Sequence, residues 1–399
     1  MRQRTGKIPV DFDPMVITIG DPCGIGPEVV HEAVKKTTVL RRRDVLVVGD
    51  VLPYARAVGE AAEMHMYHIV PFDDFLTDPE AMVGEFLRVM AGRRRPFFLD
   101  LGDRGDDCVL GQGSVPSGEL SVTYLEAAFE LLDNGIGSSL VTAPISKRWI
   151  QEAGFNFPGH TEAIAARFDG EALMVMAGGG LKVGLTTIHE PLAGVTHLLT
   201  KERVKFAIES LNTALVRDFG IRDPRVAVCG FNPHAGEEGR FGHEERDIIE
   251  PVVKELAAEG YNVSGPFPGD SVFVRSLSGE FDGVVAMYHD QGLIPVKLLA
   301  FDTGVNFTAN LKVVRTSPDH GTAYGIAGKG LADSGAMLAA IELADAIARR
   351  RQGERVSPTI AEMPYDPVAG KQTAKLTPRQ RARKSSGRVP PVGEQPANL

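Results

Sequence analysis

The sequence predicts an α/β protein built on largely parallel sheets. Short β-rich apolar runs recur along the chain, helical patterns of ten or more residues separate them, and polar turns follow the runs. The 399 residues are 43% hydrophobic and 24% charged with a mean hydropathy of −0.06. That is the balance of a globular enzyme-sized protein of two to three domains, and it excludes fibrous and wholly disordered classes. In order, Met15–Ile19 reads as a buried strand, followed by a Gly/Pro turn over Gly20–Pro27 and a helix opening near Glu28. Val45–Val48 and Ser138–Thr142 read as further strands, as do Val183–Ile188, Arg225–Cys229 and Gly283–Met287. Ser121–Asp133, Lys201–Asp218 and Glu244–Glu259 carry helical periodicity between them.

No apolar run reaches the ~18 residues of a membrane span, and Met1–Lys7 lacks the apolar core of a secretory signal. Three scattered cysteines, Cys23, Cys108 and Cys229, do not make a disulfide scaffold and suit a reducing cytoplasm, with Cys23 reading as a small buried hydrophobe. The net charge of −9 is uneven: residues 349–399 carry eleven Lys and Arg against four Asp and Glu, a net of +7, leaving −16 on the body. An acidic body argues against a nucleic-acid surface. The tail, poor in apolar periodicity after Ile360, is expected to stay disordered.

Polar clusters recur where the strands end: Gly20-Asp21-Pro22, Thr142-Ala143-Pro144, His189-Glu190-Pro191, Asn232-Pro233-His234 and Tyr288-His289-Asp290-Gln291-Gly292. Ligands of open α/β sheets bind outside the carboxyl ends of strands, so these clusters are candidates for one shared cleft. Taken singly, His189, His234 and His289 read as hydrogen-bonded structural histidines. Three in equivalent positions also suit a catalytic divalent metal, with Asp270 and Asp290 as further ligands or as carboxylates behind the imidazoles. Gly159-His160-Thr161-Glu162 opens a helix whose free N–H groups favour an anion. Lys297, Asn306 and Arg315 stand at loop-like positions, where scattered cations usually face solvent. Neither Gly-x-Gly-x-x-Gly nor a Walker A loop is present, which excludes the standard nucleotide fingerprints.

Six ordered motifs carry a resemblance. Gly20–Glu28, Val141–Lys147, Pro158–Glu162, Asn232–Glu237, Met287–Gly292 and Asp319–Ala323 with Gly328-Lys329-Gly330 resemble the 4-hydroxythreonine-4-phosphate dehydrogenase family, the PdxA family of vitamin B6 synthesis. The likeness runs from about Val16 to Ala348 and has no counterpart for the tail. It departs at Cys23, commonly alanine, and at Ile188, which separates the threonine pair from His189. It implies an isopropylmalate-dehydrogenase-like fold, two α/β/α domains flanking a cleft: 14–140 plus 305–350, and 141–304, ahead of a basic tail at 351–399. It implies a homodimer completing each active site, and a divalent metal (Zn, Mg, Mn or Co) on His189, His234 and His289. Substrate contacts carry over to His160, Thr161, Lys297, Asn306 and Arg315, and NAD or NADP contacts to Asp319, His320, Gly321, Thr322 and Asp333. Asp270, Asp290 and Lys147 are the candidates for the general base.

The implied reaction is NAD(P)-dependent oxidation of a phosphorylated hydroxy acid in the cytoplasm, with no membrane or nucleic-acid partner. For 4-phosphohydroxy-L-threonine, oxidation with decarboxylation would give 3-amino-2-oxopropyl phosphate and CO2. Paralogues acting on threonate or erythronate 4-phosphate, or on cis-dihydrodiol carboxylates, share the pattern. A metal-dependent hydrolase or acyltransferase and a phosphometabolite-binding protein are the readings from other classes.

Overall fold

The computed structural model describes residues 12–59, 61–79, 81–84, 95–102, 107–157, 159–168 and 170–365. Twelve strands form one sheet in the order β3-β4-β2-β1-β5-β12-β11-β6-β7-β10-β8-β9. They are β1 (Met15–Thr18), β2 (Val45–Gly49), β3 (His68–Pro71), β4 (Phe97–Asp100), β5 (Ser139–Thr142), β6 (Leu173–Gly178), β7 (Leu181–Leu185), β8 (Val226–Cys229), β9 (Val263–Phe267), β10 (Gly283–Ala286), β11 (Val305–Ala309) and β12 (Val314–Pro318). The pairs β12–β11, β11–β6 and β6–β7 are antiparallel and the other neighbours are parallel.

These three reversals point β7, β8 and β10 opposite to β1, β5 and β12. The polar clusters therefore do not share one carboxyl edge, as their sequence positions suggest. Local pattern marks where a strand ends but not which way it runs in the sheet.

Side chains alternate faces along a strand, and the core follows that alternation. On one face Met15, Ile17, Val47, Val141, Val314, Phe307, Val175, Val285 and Val228 belong to a single apolar cluster reaching across the whole sheet. On the other face the core is split. Val16, Leu46, Leu99 and Leu140 form one cluster, while Met174, Met176, Val183, Ala227 and Val284 form another. Between those clusters the same face presents Thr142, Asn306, Thr308 and Arg315, so the gap in the apolar layer is a polar trough across the middle of the sheet.

The helices start where their sequences tell them to. Helix Val115–Asp133 is capped by Ser114, whose side chain and that of Ser117 form a reciprocal capping box, with Pro116 in the first turn. Helix Gly335–Arg351 buries an alanine-rich face against the unbroken core and accepts the Thr316 hydroxyl at Ala340 O, 2.8 Å. The chain beyond it corrects one expectation. Ala361 is fully buried, the Arg350–Glu362 ion pair (3.0 Å) is almost wholly covered, and Tyr365 N donates to Gly179 O. The segment to Tyr365 is thus packed as a strap over the β6–β7 turn, because Ile360 and Ala361 supply enough apolar surface to dock. The rest of the basic tail lies outside the described residues. Among the described residues no helix is long and apolar enough to cross a membrane.

Candidate active site

The trough is organised around a buried cation. Arg315 on β12 is 2% exposed. One terminal nitrogen donates to Thr142 Oγ1 at 2.8 Å and the other to Thr308 Oγ1 at 3.2 Å and Thr161 Oγ1 at 3.5 Å, while its Nε is buried without a partner. Burial holds the guanidinium down, at about 10, with the Glu162 charge acting in the opposite sense. A guanidinium dried and held by neutral hydroxyls, with a donor to spare, is prepared for an anion. The loop-like, solvated placement read from the sequence is corrected here: Arg315 and Asn306 lie on strands, and Lys297 lies in helix His289–Ala300. Asn306 Oδ1 is also buried and unpaired. His160 starts helix His160–Arg167, and burial followed by the nearby Arg315 charge pushes its imidazole well below its ordinary range, so it is neutral.

Beside this pocket two of the candidate metal ligands come together. Thr186 N donates to Ala286 O (2.9 Å) and Thr187 Oγ1 to Met287 O (2.8 Å), which laces the turn after β7 to the turn after β10. The His189 and His289 rings consequently face each other with centroids 5.9 Å apart. Metal–nitrogen bonds of about 2 Å place two imidazole centroids on one ion at a comparable separation, so the pair fits a shared divalent cation. Burial, and then the Lys147 charge, lower the His189 pKa, which favours the neutral ring a metal requires. Lys147 Nζ lies 3.1 Å from His189 Nε2. His289 Nδ1 donates to Asp290 Oδ1 at 2.7 Å in the tautomer that leaves Nε2 to a ligand.

His234 does not join them. Its ring packs 6.2 Å from that of Phe241, and among the described residues no three His, Cys, Asp or Glu side chains converge as a metal-holding group. With Asp270 and Asp290, His234 instead lines a cavity of about 660 Å³ bordered by helices Val272–Leu277 and His289–Ala300.

The candidate cofactor loop follows β12. Lys297 Nζ pairs with Asp319 Oδ2 at 3.1 Å, drawing down a carboxyl that burial alone would raise further. Thr322 O accepts from Ile25 N (2.9 Å), and a Cβ on Gly24 would lie 2.8 Å from that oxygen, so the close approach of the two loops requires glycine there. His320 Nε2 is buried and unpaired, and Gly321 has open space around it. Asp333 accepts from Gly335 N at 2.7 Å, a turn at the start of helix Gly335–Arg351. Asp21, in the Gly20-Asp21-Pro22 cluster, takes a role the sequence does not assign it. This fully buried carboxylate accepts from Tyr324 OH (2.6 Å), Cys23 N (2.9 Å) and Ser117 Oγ (3.3 Å), clamping the loop to the end of β1. The Gly-Asp-Pro turn was its visible signal. Thr142, in a cluster already singled out, and Thr308, which has no signal in the sequence, take their part only as partners of Arg315.

Residues 44–344 match the family model described as pyridoxal phosphate biosynthetic protein PdxA. A 4-hydroxythreonine-4-phosphate dehydrogenase of Erythrobacter litoralis is 40% identical over 342 residues, 85% of this chain and 97% of that protein. The chain belongs to the PdxA family. An Oceanobacillus iheyensis family relative provisionally named D-threonate 4-phosphate dehydrogenase is 38% identical over 82% of this chain and 96% of its own. Among solved structures, the 4-hydroxythreonine-4-phosphate dehydrogenase of Klebsiella pneumoniae superposes with a TM-score of 0.70 at 34% identity, covering 85% of this chain and 98% of that one. A terephthalate 1,2-cis-dihydrodiol dehydrogenase of Burkholderia xenovorans superposes at 0.55 and 28%, covering 86% and 99%.

Proposed function

We propose that this PdxA-family chain is a metal-dependent NAD(P) dehydrogenase of a phosphorylated hydroxy acid, with 4-phosphohydroxy-L-threonine as the substrate to test first. The buried Arg315, held by hydroxyls and carrying a spare donor, is the observation that carries the reading: it fits a phosphate. His160, Thr161, Lys297 and Asn306 surround the same trough and orient the anion, which fixes the distance from phosphate to reacting carbon. His189 and His289 hold the divalent ion, and Asp290 orients His289 from behind. When bound, the metal supplies Lewis acidity at the substrate hydroxyl and the nicotinamide accepts the hydride. Of the three candidate bases, Asp290 is engaged by His289 and Asp270 lines the His234 cavity, which leaves Lys147, 3.1 Å from His189 Nε2, to take the hydroxyl proton in its unprotonated form. Asp319, His320, Gly321 and Thr322 line the dinucleotide side, with Asp333 shaping the turn beyond.

The third metal ligand, His234, comes from a second copy of the chain. Val274 (67% exposed), Ile294 (58%) and Leu298 (79%) make an apolar face on the cavity that His234 lines, and a homodimer covers it. The 141–304 stretch then supplies this interface, while 14–140 with 305–350 supplies the dinucleotide side.

The test is nicotinamide absorbance at 340 nm with metal-loaded protein, NAD or NADP, and a substrate panel. Reduction with 4-phosphohydroxy-L-threonine or with threonate or erythronate 4-phosphate is expected. Reduction only with an unphosphorylated cis-dihydrodiol carboxylate would transfer the chain to the second reading, which the terephthalate dihydrodiol dehydrogenase likeness favours. No reduction with any member would overturn both.

A further inference from the structure

The loop after β8 that carries His234 has an unusual backbone. His234, Ala235, Gly236, Glu237 and Glu238 have φ of 53°, 51°, 78°, 40° and 56°, so four non-glycine residues in succession share the left-handed region with one glycine. Such a run persists only where surrounding contacts over-determine it. Two side chains outside the loop do so. Glu245 is 6% exposed and begins the five-residue π-helical turn Glu245–Ile249, an irregularity frequent at functional sites. Its Oε1 accepts from Phe231 N (2.8 Å) and Asn232 N (2.6 Å), and its Oε2 accepts from Asn232 Nδ2 (2.9 Å). A Cβ on Gly236 would lie 2.7 Å from Oε2, so the loop wraps directly on the carboxylate. On the other side Gln291 Nε2 donates to Gly230 O (2.7 Å) while its Oε1 accepts from Met287 N (2.7 Å). Gln291 therefore fastens the His234 loop to the strand end that leads into His289.

We propose that Glu245 and Gln291 are positioning residues that together hold His234 at the height and angle a metal ligand needs. The inference rests on the reading of His234 as a ligand, and it adds the means by which a strained loop keeps that imidazole in place. Neither side chain touches the metal. Each acts through backbone groups of Gly230, Phe231 and Asn232, two to four residues ahead of the histidine, so its loss loosens the donor without removing it.

The experiment uses Co(II) as probe on the full-length protein, read by its visible d–d absorption and by titrated Kd, with no substrate present. Glu245→Ala and Gln291→Leu are each expected to weaken Co(II) binding about 10–100-fold and to shift the absorption band. Glu245→Gln retains a carbonyl that accepts both N–H groups and is expected to stay within about threefold of wild type. Val252→Ala, a buried truncation in helix Glu250–Ala258, is the stability control and should leave Co(II) affinity unchanged. Native Co(II) affinity in both Glu245→Ala and Gln291→Leu, with affinity lost in His234→Ala, would overturn the positioning role while leaving the ligand reading intact. An equal loss in Val252→Ala would also overturn it. Native affinity in His234→Ala itself would instead remove the ligand reading. If Glu245→Ala does not fold, Gln291→Leu alone decides.

Discussion

Replacing Arg315 by Met should make the unliganded protein more stable and the enzyme much worse. The buried guanidinium has no carboxylate within its hydrogen bonds, only three threonine hydroxyls, so its charge is poorly repaid. Its lowering to about 10, well below the ordinary guanidinium range, corresponds to about 3 kcal/mol of unfavourable burial. Relieving part of that should raise Tm by roughly 2–4 °C, since 1 kcal/mol moves Tm by about 2–4 °C in domains of 150–250 residues and less in a longer chain. The sign of the pH dependence follows. The native state loses the proton before the unfolded state does, so the penalty is fully present below about pH 10 and fades as pH rises through it. The stability gap between variant and wild type should therefore narrow above about pH 10. Catalysis moves the other way: losing charge-assisted hydrogen bonds worth about 1.5–3 kcal/mol each should cut kcat/KM for a phosphorylated substrate by about 100-fold, chiefly through KM. Inorganic phosphate at about a hundred times its Kd should stabilise wild type by about 2.7 kcal/mol and leave the variant nearly unmoved. Calorimetry with and without phosphate, beside 340 nm kinetics, reads all of this. A destabilised variant that phosphate still protects would refute the reasoning.

Three further outcomes are expected. Mixing inactive His234→Ala subunits with inactive His289→Ala subunits should restore activity, because each mixed dimer then holds one site with all its ligands; silence after verified exchange would mean that His234 and His289 serve the same subunit's site. Tyr324→Phe removes one of the donors to the buried Asp21 and should raise KM for NAD(P) several-fold with kcat little changed; calorimetric titration showing native cofactor affinity would detach Asp21 from cofactor binding. Glu362→Ala strands the almost wholly covered Arg350 and should cost about 3–5 kcal/mol, seen as a fall in the denaturant midpoint, whereas an unchanged midpoint would show the strap to be idle.

The strands legible in the sequence, β1, β2, β5, β7, β8 and β10, are apolar runs buried on both faces. Of the six that escaped, four have evident physical reasons. β11 (Val-Asn-Phe-Thr-Ala) and β12 (Val-Arg-Thr-Ser-Pro) read as polar because every second side chain lines the trough. β9 lies at the sheet edge and carries the Gly and Pro that an edge tolerates. β6 (Leu-Met-Val-Met-Ala-Gly) spends four of its six positions on methionine, alanine and glycine, which lack a strand signature, although its Gly179-Gly180 turn is the mark of a hairpin. In the site, histidines and charged groups stood out by type. The residues that hold them, Thr142, Asp21, Glu245 and Gln291, lie inside or beside the same motifs but reveal their part only through partners far away in the chain. The separation of His234 from the other two histidines was invisible, since spacing along a chain says nothing of which copy a ligand serves.

The apolar layer that runs unbroken along one side of the sheet also limits how the enzyme can move. One continuous sheet joins its two ends, so the strands under the trough connect whatever moves on either side of it. A closing of the trough would therefore be expected to bend or coil β5, β12, β11 and β6 rather than leave them untouched.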